Sequence, residues 1–149
     1  MSSPQDFPPL PERDQRDDRI EDLRSEARER ALALLYEAQA KGLSGTEVIA
    51  ALPVPPDKLA VLLVTGVEEH RARIDELIVQ FAKGWSLERM PVVDRTVLRL
   101  ATFELLERPE VPVAVVLDEA VELAKHFSTD DSGRFVNGVL AAIARTVRT

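Results

Sequence analysis

The 149-residue chain has no cysteine. That excludes disulfides and thiolate metal sites, and it suits a reducing compartment. Histidine is nearly as scarce: His70 and His126 are the only two, and they form no His-x-x-x-His pair. No glycine-rich phosphate loop is present. Aromatic residues make up 5% of the chain, with one tryptophan and one tyrosine. No apolar run approaches the ~20 residues needed to cross a bilayer. The N-terminus has no basic start followed by an apolar stretch, so neither a signal peptide nor a membrane association is expected, and the expected location is cytoplasmic. The nearest thing to a reactive constellation is Asp130-Asp131-Ser132. Its spacing suits the start of a helix, and no base lies beside it in sequence. The chain is therefore expected to be no enzyme and to need no cofactor or metal. Positive charge is also in short supply, with 19 Lys and Arg against 26 Asp and Glu, a formal net charge of −7. A strongly acidic protein is a poor non-specific ligand for nucleic acid, so any RNA contact needs a local basic patch or a partner that supplies charge.

What is present is ordinary globular material. Hydrophobic residues are 45% and charged residues 30%, enough for one domain with a real core. Residues 1–21 are rich in Pro, Asp and Arg without apolar periodicity, which predicts a disordered tail ahead of a domain at 22–149. Helical spacing then recurs throughout. A first helix is expected over 22–40, with Ala27, Ala31, Leu34, Leu35 and Ala38 inward and Lys41-Gly42 as its stop. A short helix over 44–52 is capped by Ser44 or Thr46 and ended by Pro53, Pro55 and Pro56. Helices follow over 57–70, with Leu59, Leu62, Leu63 and Val67 inward, and over 72–83. Gly84 breaks the latter, and Trp85 is expected to anchor the junction between helical layers. The helix over 91–107 opens with Pro91 in its first turn and is apolar on most sides, which makes it central. Glu104 lies among its apolar residues and is expected to tie two helices together. Helices over 112–126 and 130–146 complete an all-α bundle of about seven helices.

The last helix begins within Phe127-Ser-Thr-Asp-Asp-Ser-Gly-Arg-Phe-Val-Asn-Gly-Val-Leu140. Ser128 or Asp130 is the expected N-cap, with Asp131 reaching back as in a capping box. Gly133 and Gly138 each cost about 1 kcal/mol relative to alanine inside a helix, so a close approach of neighbouring backbone is expected there. Asn137 lies beside the apolar stripe, where its amide can fix a turn or a neighbouring helix. This stretch resembles the C-terminal signature of the NusB family of transcription antitermination factors, roughly Phe-x-x-x-Asp-Ser-x-Lys/Arg-Phe-Val-Asn-Gly-Val-Leu. Three further stretches are similar to that family: Ala27-Arg-Glu-Arg-Ala-Leu-Ala-Leu-Leu-Tyr36, Val92-Val-Asp-Arg-Thr-Val-Leu-Arg-Leu-Ala-Thr-Phe-Glu-Leu-Leu106 and Asp118-Glu-Ala-Val-Glu-Leu-Ala-Lys125.

The resemblance implies a bundle of two packed subbundles that binds boxA-type single-stranded RNA of nascent rRNA transcripts. It implies action together with NusE, a small-subunit ribosomal protein, within the RNA polymerase antitermination complex. Some members of the family form homodimers. The residues expected at the RNA surface are Arg24, Arg28, Tyr36, Arg95, Arg99, Arg134 and Phe135. Arginine offers paired donors to phosphate, and an aromatic beside a cation suits stacking of unpaired bases. Asp94, Asp131 and Asn137 are expected to organise the boundary between RNA and protein partner. The plainer reading of Arg24 and Arg28 is a solvated basic face paired with Glu21, Glu26 and Glu29, that of Asp94, Arg95 and Arg99 an internal Asp–Arg network, and that of Phe135 core packing. Ser25 and Glu26 stand where the family often has basic residues. That dilution keeps a second function open, a NusB-fold adaptor that binds protein and little or no RNA. NusB-like domains also occur fused to rRNA cytosine methyltransferases, and the end of this chain at Thr149 weighs against that form.

Overall fold

A computed structural model describes residues 12–148, with side chains from Asp22 onward. The described residues form seven α-helices and one 3₁₀ turn, in the order α1 Glu12–Lys41, α2 Gly45–Ala50, α3 Lys58–Glu69, α4 Arg71–Phe81, the 3₁₀ turn Leu87–Arg89, α5 Val92–Glu107, α6 Val113–Phe127 and α7 Asp130–Val147. The all-α expectation holds, and most boundaries agree with the sequence signals to within two residues. The exception is α1. Its backbone is helical from Glu12, ten residues before the expected start; of the predicted tail, residues 1–11 lie outside the described residues. No proline occurs between Pro11 and Pro53. Acidic residues at the N-terminal end also suit the helix dipole, so nothing in that stretch stops a helix from extending.

Helix ends are set by local chemistry. Ser44 caps α2 in a capping box: its Oγ accepts from Glu47 N, and the Glu47 carboxylate accepts from Ser44 N, both at 3.0 Å. Glu68 of α3 adds to that cap by accepting from Gly45 N at 2.8 Å and Thr46 N at 3.2 Å. Asp57 caps α3 through Ala60 N at 2.8 Å. Pro91 is the N-cap residue of α5, one position before its expected place. The α7 cap is neither Ser128 nor Asp130 but Thr129, whose Oγ1 accepts from Ser132 N at 3.1 Å. Its extended backbone aims the hydroxyl at the third helical residue. Asp131 is thus the second helical residue, one short of the third position from which a capping box reaches back, and it pairs with Arg134 instead.

Helix α5 is the hub. It packs against α1 and α3 on one side and α4, α6 and α7 on the other, while α6 and α7 form the tightest antiparallel pair. One continuous apolar core runs through both groups, built from Leu63, Val67, Ile74, Leu77, Ile78, Leu98, Leu105, Leu140 and Ile143 among others. Gly66 of α3 permits the α3–α5 approach, because the Phe103 ring occupies the space a Cβ would need. Gly133 of α7 does the same for Lys125, whose Cγ would lie 2.7 Å from an added Cβ. Gly138 does not act this way; it faces open space. Leu62, expected inward, is 48% exposed, since Leu59, Leu63 and Val67 already define the inner face of α3.

The C-terminus is locked to the hub by one side chain. Arg148 donates from Nε to Leu105 O at 2.8 Å, from Nη1 to Val111 O at 3.0 Å, and from Nη2 to Glu104 O at 3.2 Å and Arg108 O at 3.0 Å. The last turn of α5 has carbonyls without an intrahelical partner. The planar five-donor fork of arginine reaches Leu105 O and, in the following loop, Val111 O. It adds a second donor to Glu104 O and Arg108 O, which also accept from Arg108 N and Val111 N at 3.0 Å.

Candidate nucleic-acid interface

The expected surface residues divide into two classes. Arg28 is 2% exposed. Its guanidinium meets Glu104 through Nε–Oε1 at 2.7 Å and Nη2–Oε2 at 3.0 Å, with Glu119 at 3.9 Å from Nη1. Arg99 is 8% exposed and grips Asp75 of α4 through Nε at 2.8 Å and Nη2 at 3.1 Å. Both are corrections to their expected place on an RNA surface. A buried arginine is retained only where a carboxylate answers its charge, and each of these is answered in two-pronged geometry. The internal acid–arginine network expected for Arg99 is present, with Asp75 and not Asp94 as its acid, while Arg28 lies on no solvated face and pairs with Glu104. Ser25 looks like a diluted basic position in sequence, yet its Oγ donates to Glu119 Oε1 at 2.6 Å and so ties α1 to α6.

The second class gathers at one end of the bundle, around the first turn of α5 and the α6–α7 turn. Tyr36 is 49% exposed and lies with Leu32, Ala33, Val93 and Phe127 around an apolar groove of about 390 Å³. Phe127 closes α6 just before the α7 cap and is itself exposed. Arg134 and Phe135 lie in the first two turns of α7. Arg134 is exposed and donates to the equally exposed Asp131, an i,i+3 pair in water that contributes little to stability. Phe135 is half-buried against the core, and its outer face meets the Trp85 indole at a centroid distance of 5.9 Å and an interplanar angle of 58°. Trp85, expected as an internal anchor, is 49% exposed.

Arg95 joins the same end. Its Nη1 donates to Leu87 O at 3.0 Å, which fixes it against the loop that carries Trp85. Burial lowers the pKa of this guanidinium below the ordinary arginine value, and the positive charges of Arg99 and Arg71 lower it further, against Asp75 and Glu88. Arg99 and Arg71 are themselves paired with Asp75. Asp94 points away from water. It is 4% exposed, and its Oδ1 is buried without a hydrogen-bond partner. Asn137 is exposed and borders a groove between α6 and α7 that Asp118, Glu122, Lys125 and Arg134 also line. Arg24 stands apart, half-buried twelve residues N-terminal to Tyr36, about 18 Å along the same helix.

Sequence reasoning missed Asp75, Val93 and Phe127. Arg71 and Asp75 form a visible i,i+4 pair, but no local signal links Asp75 to Arg99. Phe127 stands in the C-terminal signature itself, and its exposure follows only from the angle at which α6 meets α7. Among the described residues, no group of three or more His, Cys, Asp or Glu could hold a metal ion. No described helix is long and apolar enough to cross a membrane.

Both the sequence and the fold match proteins already known. The NusB family model matches residues 25–145. The transcription antitermination protein NusB of Saccharopolyspora erythraea is 56% identical over 128 residues, covering 81% of this chain and 86% of that protein. The crystal form 2 structure of T. maritima NusB is 36% identical with a TM-score of 0.74, covering 82% of this chain and 90% of that one. A crystal structure of the antitermination factors NusB and NusE in complex with double-stranded RNA matches at 29% identity and a TM-score of 0.70, covering 83% of this chain and 96% of that one.

Proposed function

The chain belongs to the NusB family, and from that membership we propose that it is a transcription antitermination factor. It binds boxA-type RNA of nascent rRNA transcripts together with NusE and supports processive elongation by RNA polymerase. It acts by binding and not by catalysis, in the cytoplasm, where transcripts emerge. The observation that carries this reading is the exposure of Tyr36 and Phe127 around one groove and of Arg134 at the start of α7, beside the half-buried Phe135, in a NusB-family bundle. Exposed rings beside an exposed guanidinium are suited to unpaired bases and their phosphates.

The RNA surface we propose is built from Tyr36, Arg95, Arg134 and Phe135, with Arg24 as an outlying contact. Asp131 tempers it, because its carboxylate competes with phosphate for Arg134. Arg28 and Arg99 act behind it as framework. The acidic chain carries few cations at this end, so a basic partner such as NusE supplies the remaining charge.

The test is fluorescence anisotropy of a labelled boxA RNA with the chain alone and with NusE, at two salt concentrations. The expected result is tighter binding with NusE, weaker binding in high salt, and loss on Tyr36→Ala or Arg134→Ala in protein of unchanged melting temperature. Absence of RNA binding under both conditions, with NusE still captured, would favour the adaptor reading.

A further inference from the structure

The loop between α4 and α5 presents the chain's one tryptophan to solvent in a fixed pose. Trp85 N donates to Ala82 O at 3.0 Å across a turn in which Gly84 takes φ +82°. A side chain at 84 would meet nothing within 4 Å, so the glycine is needed for its left-handed backbone and not for space. Two residues beyond Trp85 the loop enters the 3₁₀ turn Leu87–Arg89, and there the Arg95 guanidinium holds Leu87 O. On its inner side the indole leans on Phe135. The loop is thus pinned at its start, at its end and from beneath.

An indole left half in water forgoes much of the stabilisation its burial would bring. The ring contact with Phe135 is tilted, and the exposed part of the indole is open to a second flat partner. The charges around it suit a polyanion. Lys83 and Arg89 are exposed on the same loop, with Glu88 as the opposing charge. Arg95 lies against Leu87. An aromatic surface edged by cations is how single-stranded nucleic acid is held without sequence readout: bases stack on the ring and phosphates lie on the cations.

We infer that Trp85, supported by Phe135 and edged by Lys83, Arg89 and Arg95, is a base-stacking residue that extends the RNA surface from α7 onto the α4–α5 loop. The inference rests on the RNA-binding reading above. It adds a residue class that reading does not need: a sequence-tolerant stacking platform, placed to hold a nucleotide beside those contacted by Arg134 and Phe135.

Trp85 is its own reporter. The boxA RNA is titrated into the chain with NusE present. Indole emission is followed in parallel with the anisotropy of labelled RNA, and a Trp85→Phe chain gives the background from any partner tryptophan. The expected result is quenching of Trp85 that saturates with the anisotropy. Trp85→Ala is expected to bind about ten- to a hundredfold more weakly, and Trp85→Phe to keep most of the affinity, with all three proteins melting within a few degrees of one another. If RNA binds while the emission stays constant, or if Trp85→Ala binds as well as the parent, Trp85 is a packing residue and the inference is overturned while the RNA-binding reading stands. If no RNA binds at all, both are overturned.

Discussion

Arg28 of α1 and Glu104 of α5, 76 residues apart in the chain, form a two-pronged ion pair in the middle of the bundle, with side-chain exposures of 3% and 2%. The pair joins the helix that opens the bundle to the helix at its hub. Arg28→Ala or Glu104→Ala removes the two-pronged partner of a buried charge and leaves the longer contacts, Glu104 to Arg108 at 3.7 Å or Arg28 to Glu119 at 3.9 Å, and each is expected to cost about 3 kcal/mol. The double change Arg28→Met with Glu104→Leu is expected to recover most of that loss, since apolar groups of similar volume need no counter-charge. Urea unfolding of the four proteins checks this; a double variant as unstable as the singles would show that the pair does more than neutralise itself.

Arg148 supplies donors to four carbonyls at the end of α5. Arg148→Ala is expected to destabilise by roughly 1–3 kcal/mol, as Leu105 O and Val111 O lose the Arg148 donor while Glu104 O and Arg108 O keep a backbone one. Arg148→Lys is expected to recover little, because an ammonium cannot span the four acceptors as a planar fork does. Amide exchange should quicken first in the last turn of α5 and the end of α7.

Gly66 lies under the Phe103 ring. On propensity alone, alanine in mid-helix would stabilise by about 1 kcal/mol. Here the added methyl meets an aromatic ring held on the far side by packed helices, so Gly66→Ala is expected to destabilise by about 1–3 kcal/mol. The paired change Gly66→Ala with Phe103→Leu, which opens the space, is expected to lose less than Gly66→Ala plus the separate cost of Phe103→Leu. Thermal melting of the three variants decides it, and simple additivity would sink this account of the contact.

Asp131 and Arg134 form an exposed pair at the start of α7. Asp131→Asn removes the carboxylate that competes for Arg134 and is expected to tighten RNA binding severalfold while leaving the melting temperature nearly unchanged. Arg134→Ala is expected to weaken RNA binding and lower the salt dependence by about one counterion. Titrations at three salt concentrations read both effects. An Asp131→Asn chain that binds RNA more weakly would show that Asp131 contacts the ligand directly.

The helices, their order and most of their ends were legible in the sequence because the signals are local. Ser44 with Glu47, Asp57 before α3 and Pro112 before α6 act within a few residues. The inward stripe of Ala27, Ala31, Leu34 and Ala38 is a property of one helix, and the long signature from Phe127 to Leu140 carried the family. Two smaller readings failed at the same local level: the α7 cap is Thr129, because one hydroxyl in the right backbone conformation excludes its neighbours, and α1 runs on to Glu12 through polar sequence. What the tertiary structure alone decided is which charges and rings face water. Arg28 and Arg99 look like surface cations in sequence, and their partners Glu104 and Asp75 are 76 and 24 residues away. Trp85 looks like an anchor and stands half in solvent because α7 brings Phe135 beneath only one side of it. Helical periodicity determines which face of a helix is apolar. The angle and register at which helices meet determine whether a charge at the edge of that face finds a counter-charge or water.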